Sequence, residues 1–265
     1  MTKKIMLDPG HGGHDPGAVA NGLKEKDLVL TISKKTKAIL EKVYGASVKL
    51  TRSTDVYIDL SQRARLANNW GADYFVSIHI NAAGGTGFES FRYDKLSASS
   101  STGKQQKTVH DFIYNKIKAK TSDRGKKSKN LAVLRETKMP ALLTENLFID
   151  RKEDAAQLKQ ESFLDALAEG HAEGIAAAVG LKKVSSSSKT SPTPKGVKMA
   201  VVKPNADGWL WVYDKPEWTA KHKKVKPGEA FTIDKTVTVN GAKMYKLKSG
   251  LYITAATKYV QVKQK

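Results

Sequence analysis

The chain has 265 residues, 40% of them apolar and 27% charged, the proportions of a folded globular protein with room for one medium and one small domain. It has no cysteine, which excludes disulfides, a thiol nucleophile and cysteine-ligated zinc, so any metal site must use His, Asp or Glu. The net charge of +20 is unevenly shared: residues 1–180 carry 28 Lys/Arg against 21 Asp/Glu, whereas residues 181–265 carry 18 against 5. A field of that sign attracts polyanions such as nucleic acid, anionic membrane or wall polymers.

Residues 1–10 hold only a short apolar run at 5–7, less than the ~7–15 residues of a secretory signal. No stretch approaches the ~20 apolar residues of a membrane span. The expectation is a protein made in a cytoplasm, with export by another route or by cell lysis.

Residues 3–7 read as a strand, followed by a Gly-rich loop over 9–22. Residues 25–44 read as a helix, with Leu28, Ile32, Ile39 and Val43 on one face and lysines opposite. A strand at 47–51, a helix at 59–70 and a strongly apolar strand at 74–80 follow. Then come a strand at 88–93, a helix at 105–120, strands at 131–134 and 141–144, and an Ala-rich helix at 162–179. This alternation predicts an α/β domain over residues 1–181, a mostly parallel twisted sheet with helices on both faces.

Residues 182–196 are Ser, Thr, Pro and Lys with almost no apolar side chains and read as a flexible linker. Residues 197–265 show about five short alternating segments separated by Asp207-Gly208, Pro227-Gly228, Asn240-Gly241 and Ser249-Gly250. Asn240-Gly241 is a strong hairpin signal. The pattern predicts a small all-β, SH3-like domain. At least one of Trp209 and Trp211 is expected in its core, and Lys221–Lys226 as a solvated loop.

The chemistry concentrates in the first domain. His11 lies in Asp8-Pro9-Gly10-His11-Gly12-Gly13 directly after the first strand, His79 ends the fifth predicted element, and Glu145 follows 141–144. In a parallel sheet all three sit at carboxyl ends of strands, where open α/β sheets place their sites. Glu25 falls on the inward stripe of the first helix, three before Leu28 and seven before Ile32, while Asp27 falls on the polar stripe. A buried carboxylate needs a partner, and a cation is the natural one. Three ligands plus one carboxylate is the inventory of a catalytic zinc hydrolase. On this reading His11, Glu25 and His79 bind one Zn2+ ion and Glu145 is the general base.

Other residues carry blander expectations. His14 is set aside as a ligand, and His110, His171 and His222 are expected at the surface. Asp8 either orients His11 or shapes the turn, Asn81 either touches substrate or is structural, and Arg52 and Arg63 are ion-pair or packing residues.

Ile5-Met6-Leu7-Asp8-Pro9-Gly10-His11-Gly12-Gly13, Asp15-Pro16-Gly17-Ala18, Glu25-Lys26-Asp27-Leu28, Leu50-Thr51-Arg52, Ser77-Ile78-His79-Ile80-Asn81-Ala82 and Pro140-Ala141-Leu142-Leu143-Thr144-Glu145 together resemble the zinc-dependent N-acetylmuramoyl-L-alanine amidases of type 3. The resemblance covers residues 4–180. It implies zinc at His11, Glu25 and His79, catalysis by Glu145, and hydrolysis of the amide between N-acetylmuramic acid and L-alanine. The sequence departs from the family pattern at Asn146-Leu147-Phe148-Ile149-Asp150. The C-terminal part resembles wall-binding β domains of Bacillus phage amidases, through stretches such as Gly228-Glu229-Ala230-Phe231-Thr232-Ile233.

The expected partners are peptidoglycan and an anionic Gram-positive wall polymer, with no nucleic acid and no membrane span, for a monomer. The implied role is a phage or prophage endolysin released through a holin, or an autolysin of a sporulating bacterium. The alternatives are a zinc peptidase cutting within the stem peptide, or a basic binding protein with an inactive hydrolase domain.

Overall fold

The structure, a computed structural model, describes residues 2–184 and 198–264. The linker reading therefore lies outside the described residues from 185 to 196. The chain divides into two compact units, Met1–Ser187 and Ser188–Lys265.

The first unit runs β1 (Lys4–Pro9), β2 (Val19–Ala20), β3 (Leu23–Lys24), α1 (Glu25–Tyr44), β4 (Ser47–Leu50), α2 (Leu60–Trp70), β5 (Tyr74–Asn81), β6 (Phe88–Arg92) and α3 (Ser101–Ile117). It continues with β7 (Asp123–Ser128), α4 (Ala132–Arg135), β8 (Ala141–Phe148), α5 (Lys152–Leu158) and α6 (Glu161–Ala178). Six strands form one sheet in the order β4-β1-β5-β8-β6-β7, parallel except where β6 meets β8.

Side chains alternate across each strand, and the sheet sorts them onto two cores. Ile5, Leu7, Val76, Ile78 and Leu142 pack under α1, α3 and α6. Met6, Phe75, Ala141 and Leu143 face the opposite way, under α2 and α4. Helices thus cover both faces, as the alternating pattern predicts.

Local signals set the element ends. Asp59 caps α2 by accepting from the Gln62 N–H, and Gly45 and Gly71 close α1 and α2 in the left-handed conformation.

Residues 131–134 are not a strand: α4 occupies Ala132–Arg135. A four-residue apolar run is too short for its period to separate helix from strand. The strand expected nearby is β7 instead, a polar edge strand of sequence Asp-Arg-Gly-Lys-Lys-Ser that carries no apolar alternation.

The second unit holds β9 (Lys198–Val202), β10 (Leu210–Tyr213), β11 (Lys221–Val225), β12 (Ala230–Val239), β13 (Ala242–Leu247), β14 (Tyr252–Thr254) and β15 (Val260–Gln264). They form one antiparallel sheet in the order β11-β10-β14-β13-β12-β9-β15. Asn240-Gly241 joins β12 to β13 as predicted. Among the described residues there are seven strands rather than about five, because Lys221–Val225 is an edge strand and not a solvated loop and Tyr252–Thr254 is a further short strand. Ala200, Val202, Val212, Val225, Leu247, Ile253 and Val260 make its core. Neither Trp209 nor Trp211 belongs to it, since Leu210 and Val212 take the inward positions of β10.

Candidate metal centre

The strand parity that fills the α2/α4 core with Met6, Phe75 and Leu143 continues to Asp8, Ser77, His79 and Glu145 further along the same strands. β5 and β8 run in register, with His79 opposite Glu145, and β6 sets Glu89 opposite Glu145 on its other side. A cavity of about 580 Å3 opens there, lined by His11, His79, Glu145, Asn81, Leu143 and Val133 among others.

His11 reaches the site from the loop after β1, and its backbone is in the left-handed region at φ 58, a strained conformation for a residue with a Cβ. Two arginines hold that loop. Arg63 donates to Asp8 at 2.9 Å and to the carbonyls of Pro9 and His11 at 2.8 Å. Arg52 donates to the carbonyls of Pro9, Gly10 and Lys26. Both arginines are buried, which fits the ion-pair and packing role. Two glycines make room for the rings: a Cβ on Gly10 would stand 2.2 Å from the His79 ring, and one on Gly17 would stand 2.6 Å from Glu25 Oε2.

Glu25, the first residue of α1, is buried, and its two oxygens face different imidazoles. Oε2 lies 3.1 Å from His11 Nε2, and Oε1 lies 3.0 Å from His79 Nδ1. The three ligand atoms lie within 4.8 Å of one another. Oε1 also accepts from the Ile80 N–H and Oε2 from the Ala18 N–H, so the carboxylate is fixed at both ends.

The charges fit a cation. Burial would lower the His11 pKa, but hydrogen bonds and charge from Glu25 and Asp15 outweigh it and carry it up to about 9. His79 is likewise raised by Glu25 against the effect of burial. Burial would raise Glu25, yet the two imidazoles hold it well below the usual carboxylate range. The site draws protons onto its histidines, and a dication relieves the same negative field. The His11–Glu25–His79 cluster thus fits one zinc ion.

Glu145 stands apart from this cluster. Burial pushes its pKa up to about 7, with His79 opposing, and its Oε2 is buried without a hydrogen-bond partner.

Several expectations change at the site. His110 and His171 are not surface residues; both are fully buried. His171 lies 3.0 Å from Thr144 Oγ1 and 2.8 Å from the Leu167 carbonyl. His110 bridges Ser90 and Asp123, each at 2.9 Å. That serine–histidine–aspartate array has Ser90 and His110 sealed in the interior, so it ties α3 to β6 and offers no nucleophile to substrate. His14 lies outside the cluster and packs its ring on Tyr57 at 4.2 Å. Asp8 accepts from Thr51, Ser77 and Arg63 and shapes the turn.

The partner of His11 is Asp15, whose Oδ2 lies 2.8 Å from Nδ1. Nothing in the sequence singles out Asp15, although Asp15-Pro16-Gly17 belongs to the same Gly-rich loop as His11. Asn81 donates to Glu89 at 2.8 Å, and Arg124 and Lys127 pair with the same carboxylate.

Comparison with known proteins agrees with this geometry. A family model described as N-acetylmuramoyl-L-alanine amidase matches residues 5–177, and a domain of unknown function, DUF5776, matches residues 183–260. The chain is similar to an endolysin of Bacillus phage SPP1, 62% identical over 271 residues and spanning 100% of both chains. It is also similar to the sporulation-specific N-acetylmuramoyl-L-alanine amidase of Bacillus subtilis, 52% identical over 69% of this chain and 71% of the relative. The crystal structure of an N-acetylmuramoyl-L-alanine amidase from Clostridium difficile 630 superposes with a TM-score of 0.64 and 36% identity, over 68% of this chain and 97% of that one. The chain belongs to the N-acetylmuramoyl-L-alanine amidase family of peptidoglycan hydrolases, and its His11–Glu25–His79 cluster fits one zinc ion.

Proposed function

We propose that His11, Glu25 and His79 are the zinc ligands and that Glu145 is the general base in cleavage of the bond between N-acetylmuramic acid and L-alanine. The observation that carries this reading is the convergence of two imidazoles on the two oxygens of one buried carboxylate, with a second, unpartnered carboxylate beside them. Bound zinc supplies Lewis-acid chemistry here, polarising the scissile carbonyl and acidifying water.

The protein's own groups do the rest. Asp15 accepts from His11 Nδ1–H, which leaves Nε2 as the nitrogen that would hold the ion once its own proton is released. Glu145 takes a proton from the attacking water and returns it to the departing amine of L-alanine. Leu143, Val133 and Phe91 make an apolar wall of the cavity, which excludes water and suits the methyl groups on either side of the scissile amide.

The Glu145→Gln variant tests the assignment. It should keep its fold and one bound zinc while cleavage of purified walls falls by about 10²–10⁴-fold. Cleavage within a few fold of the parent would refute Glu145 as the base.

In this reading residues 1–181 are the catalytic domain, 182–196 join the two parts, and 197–265 bind the wall. Residues 198–265 carry 14 Lys/Arg against 5 Asp/Glu, which favours an anionic wall polymer as partner. The end-to-end similarity to a phage endolysin favours a role in lysing the host wall after release through a holin. The similarity to the sporulation amidase is confined to 69% of the chain.

A further inference from the structure

In the second unit the two faces of β10 differ in what they touch. Leu210 and Val212 pack in the buried cluster with Val225 and Ile253, so Trp209, Trp211 and Tyr213 fall on the opposite face. Among the described residues none of these three aromatics belongs to that cluster. Trp209 and Trp211 meet edge to face with centroids 5.5 Å apart. All three are half-buried on a strand whose neighbour, β11, is the sheet edge.

β11 brings the charge. Lys224 is the cross-strand partner of Trp211; its ammonium stands 3.7 Å from the Trp209 ring centroid and 5.4 Å from that of Trp211. Lys221 stands 5.4 Å from the Trp211 centroid. Among the described residues neither lysine pairs with a carboxylate, and Asp214 on this ribbon faces His222 instead, at 2.8 Å. The result is an outward aromatic row interleaved with cations that aromatic faces alone hold in place.

A small sheet with an aliphatic core does not need two tryptophans outside it, and outward aromatic area of this kind marks an interaction surface. Rings and free ammonium groups at one spacing ask for a ligand that alternates apolar carbon with anionic oxygen. We propose that the outer face of β10 and β11, centred on Trp209, Trp211, Lys221 and Lys224, docks a phosphodiester-linked wall polymer. Its sugar or polyol carbons lie on the indoles, and its phosphates draw the two lysines off the rings. This rests on the wall-binding reading of residues 197–265 given above. An aromatic and lysine ribbon also suits single-stranded nucleic acid, but the peptidoglycan substrate of the same chain places the wall polymer, not nucleic acid, at its working site.

The test uses the full chain carrying Glu145→Gln, so that walls persist during the assay. Its binding is measured by sedimentation with purified Gram-positive walls, with the same walls stripped of phosphodiester polymers by hydrofluoric acid, and with single-stranded DNA as competitor. The proposal predicts at least tenfold weaker binding to stripped walls. It predicts a loss of at least tenfold on intact walls for Trp209→Ala/Trp211→Ala and, independently, for Lys221→Glu/Lys224→Glu. The charge reversal leaves the rings in place and answers any folding defect of the tryptophan variant. In chains that retain Glu145, both pairs should cleave a small soluble muropeptide within twofold of the parent rate.

Unchanged wall binding in both variants, with the intact-to-stripped difference preserved, would overturn this surface and leave the wall-polymer reading standing. Equal binding of the parent to intact and stripped walls would overturn that reading and this occupant together. Complete displacement from walls by stoichiometric single-stranded DNA would overturn the choice of polymer.

Discussion

Asp15 stands four residues from His11, at the far side of a tight loop, and contributes only a hydrogen bond. Its oxygens accept from His11 Nδ1 and from the Gly17 N–H, so it fixes both the tautomer of the imidazole and the loop that carries it. Asp15→Ala should therefore bind zinc about 10–100-fold more weakly than the parent while folding normally. Competition against a chromophoric chelator measures this, and an unchanged affinity would remove Asp15 from the centre's support. The sequence marked His11, Glu25, His79 and Glu145 as candidates through the neighbours that make each motif, and the fold brings them together at one cavity. It did not show Asp15, because a carboxylate in a Gly/Pro loop has no period to betray where it points. Glu25 was readable for the opposite reason, since helical spacing put it on an apolar stripe where a lone charge needs explaining.

At the scale of elements, β8 carries Glu145 and is pinned from behind by α6. A carbonyl only accepts, so His171 Nδ1–H donates to Leu167 O and Nε2 accepts from the Thr144 hydroxyl. Thr144 Oγ1 in turn accepts from Asn146 Nδ2, which also donates to the His79 carbonyl at 2.9 Å. Burial disfavours the charged form of His171 and lowers its pKa from 6.5 to about 4.

Between those two values the unfolded chain binds a proton that the folded chain refuses, so stability falls as pH drops from 6.5 towards 4. The loss amounts to about 3 kcal/mol, and above pH 6.5 the contribution is constant. Denaturant titrations of the zinc-free protein at pH 7 and pH 4 should show a pH dependence smaller by about that amount in His171→Gln. An identical pH dependence in parent and variant would contradict the burial argument. Long periodic elements such as α1 and β5 were legible in the sequence because their spacing is set by packing. The edge strands β7 and β11 were not, because a strand with few inward side chains is held by backbone pairing, which leaves no side-chain signature.

For the whole molecule, the chain forms two compact units, and on the proposed reading they divide the labour between cutting and holding. The first carries 30 Lys/Arg against 21 Asp/Glu over 187 residues and the second 16 against 5 over 78, so the positive charge is far denser on the second and salt should weaken attachment to the wall before it touches hydrolysis. No helix among the described residues is long and apolar enough to cross a membrane. The two-part plan was legible from composition, because a Ser/Pro/Lys stretch cannot bury a core. The outward tryptophans were not, since an aromatic in a small β domain is expected inside and only the register of β10 shows otherwise.

The most direct test of the central claim follows the bond that is cut as the metal is withdrawn and restored. Purified Bacillus walls are treated with the parent protein, with protein stripped by a chelator, and with stripped protein given one equivalent of zinc; turbidity and newly exposed amino termini are recorded together. Clearing with new L-alanine amino termini and an intact glycan is expected, with its loss on stripping and its return with zinc. Clearing that survives complete metal removal, or new amino termini from within the stem peptide, would contradict it.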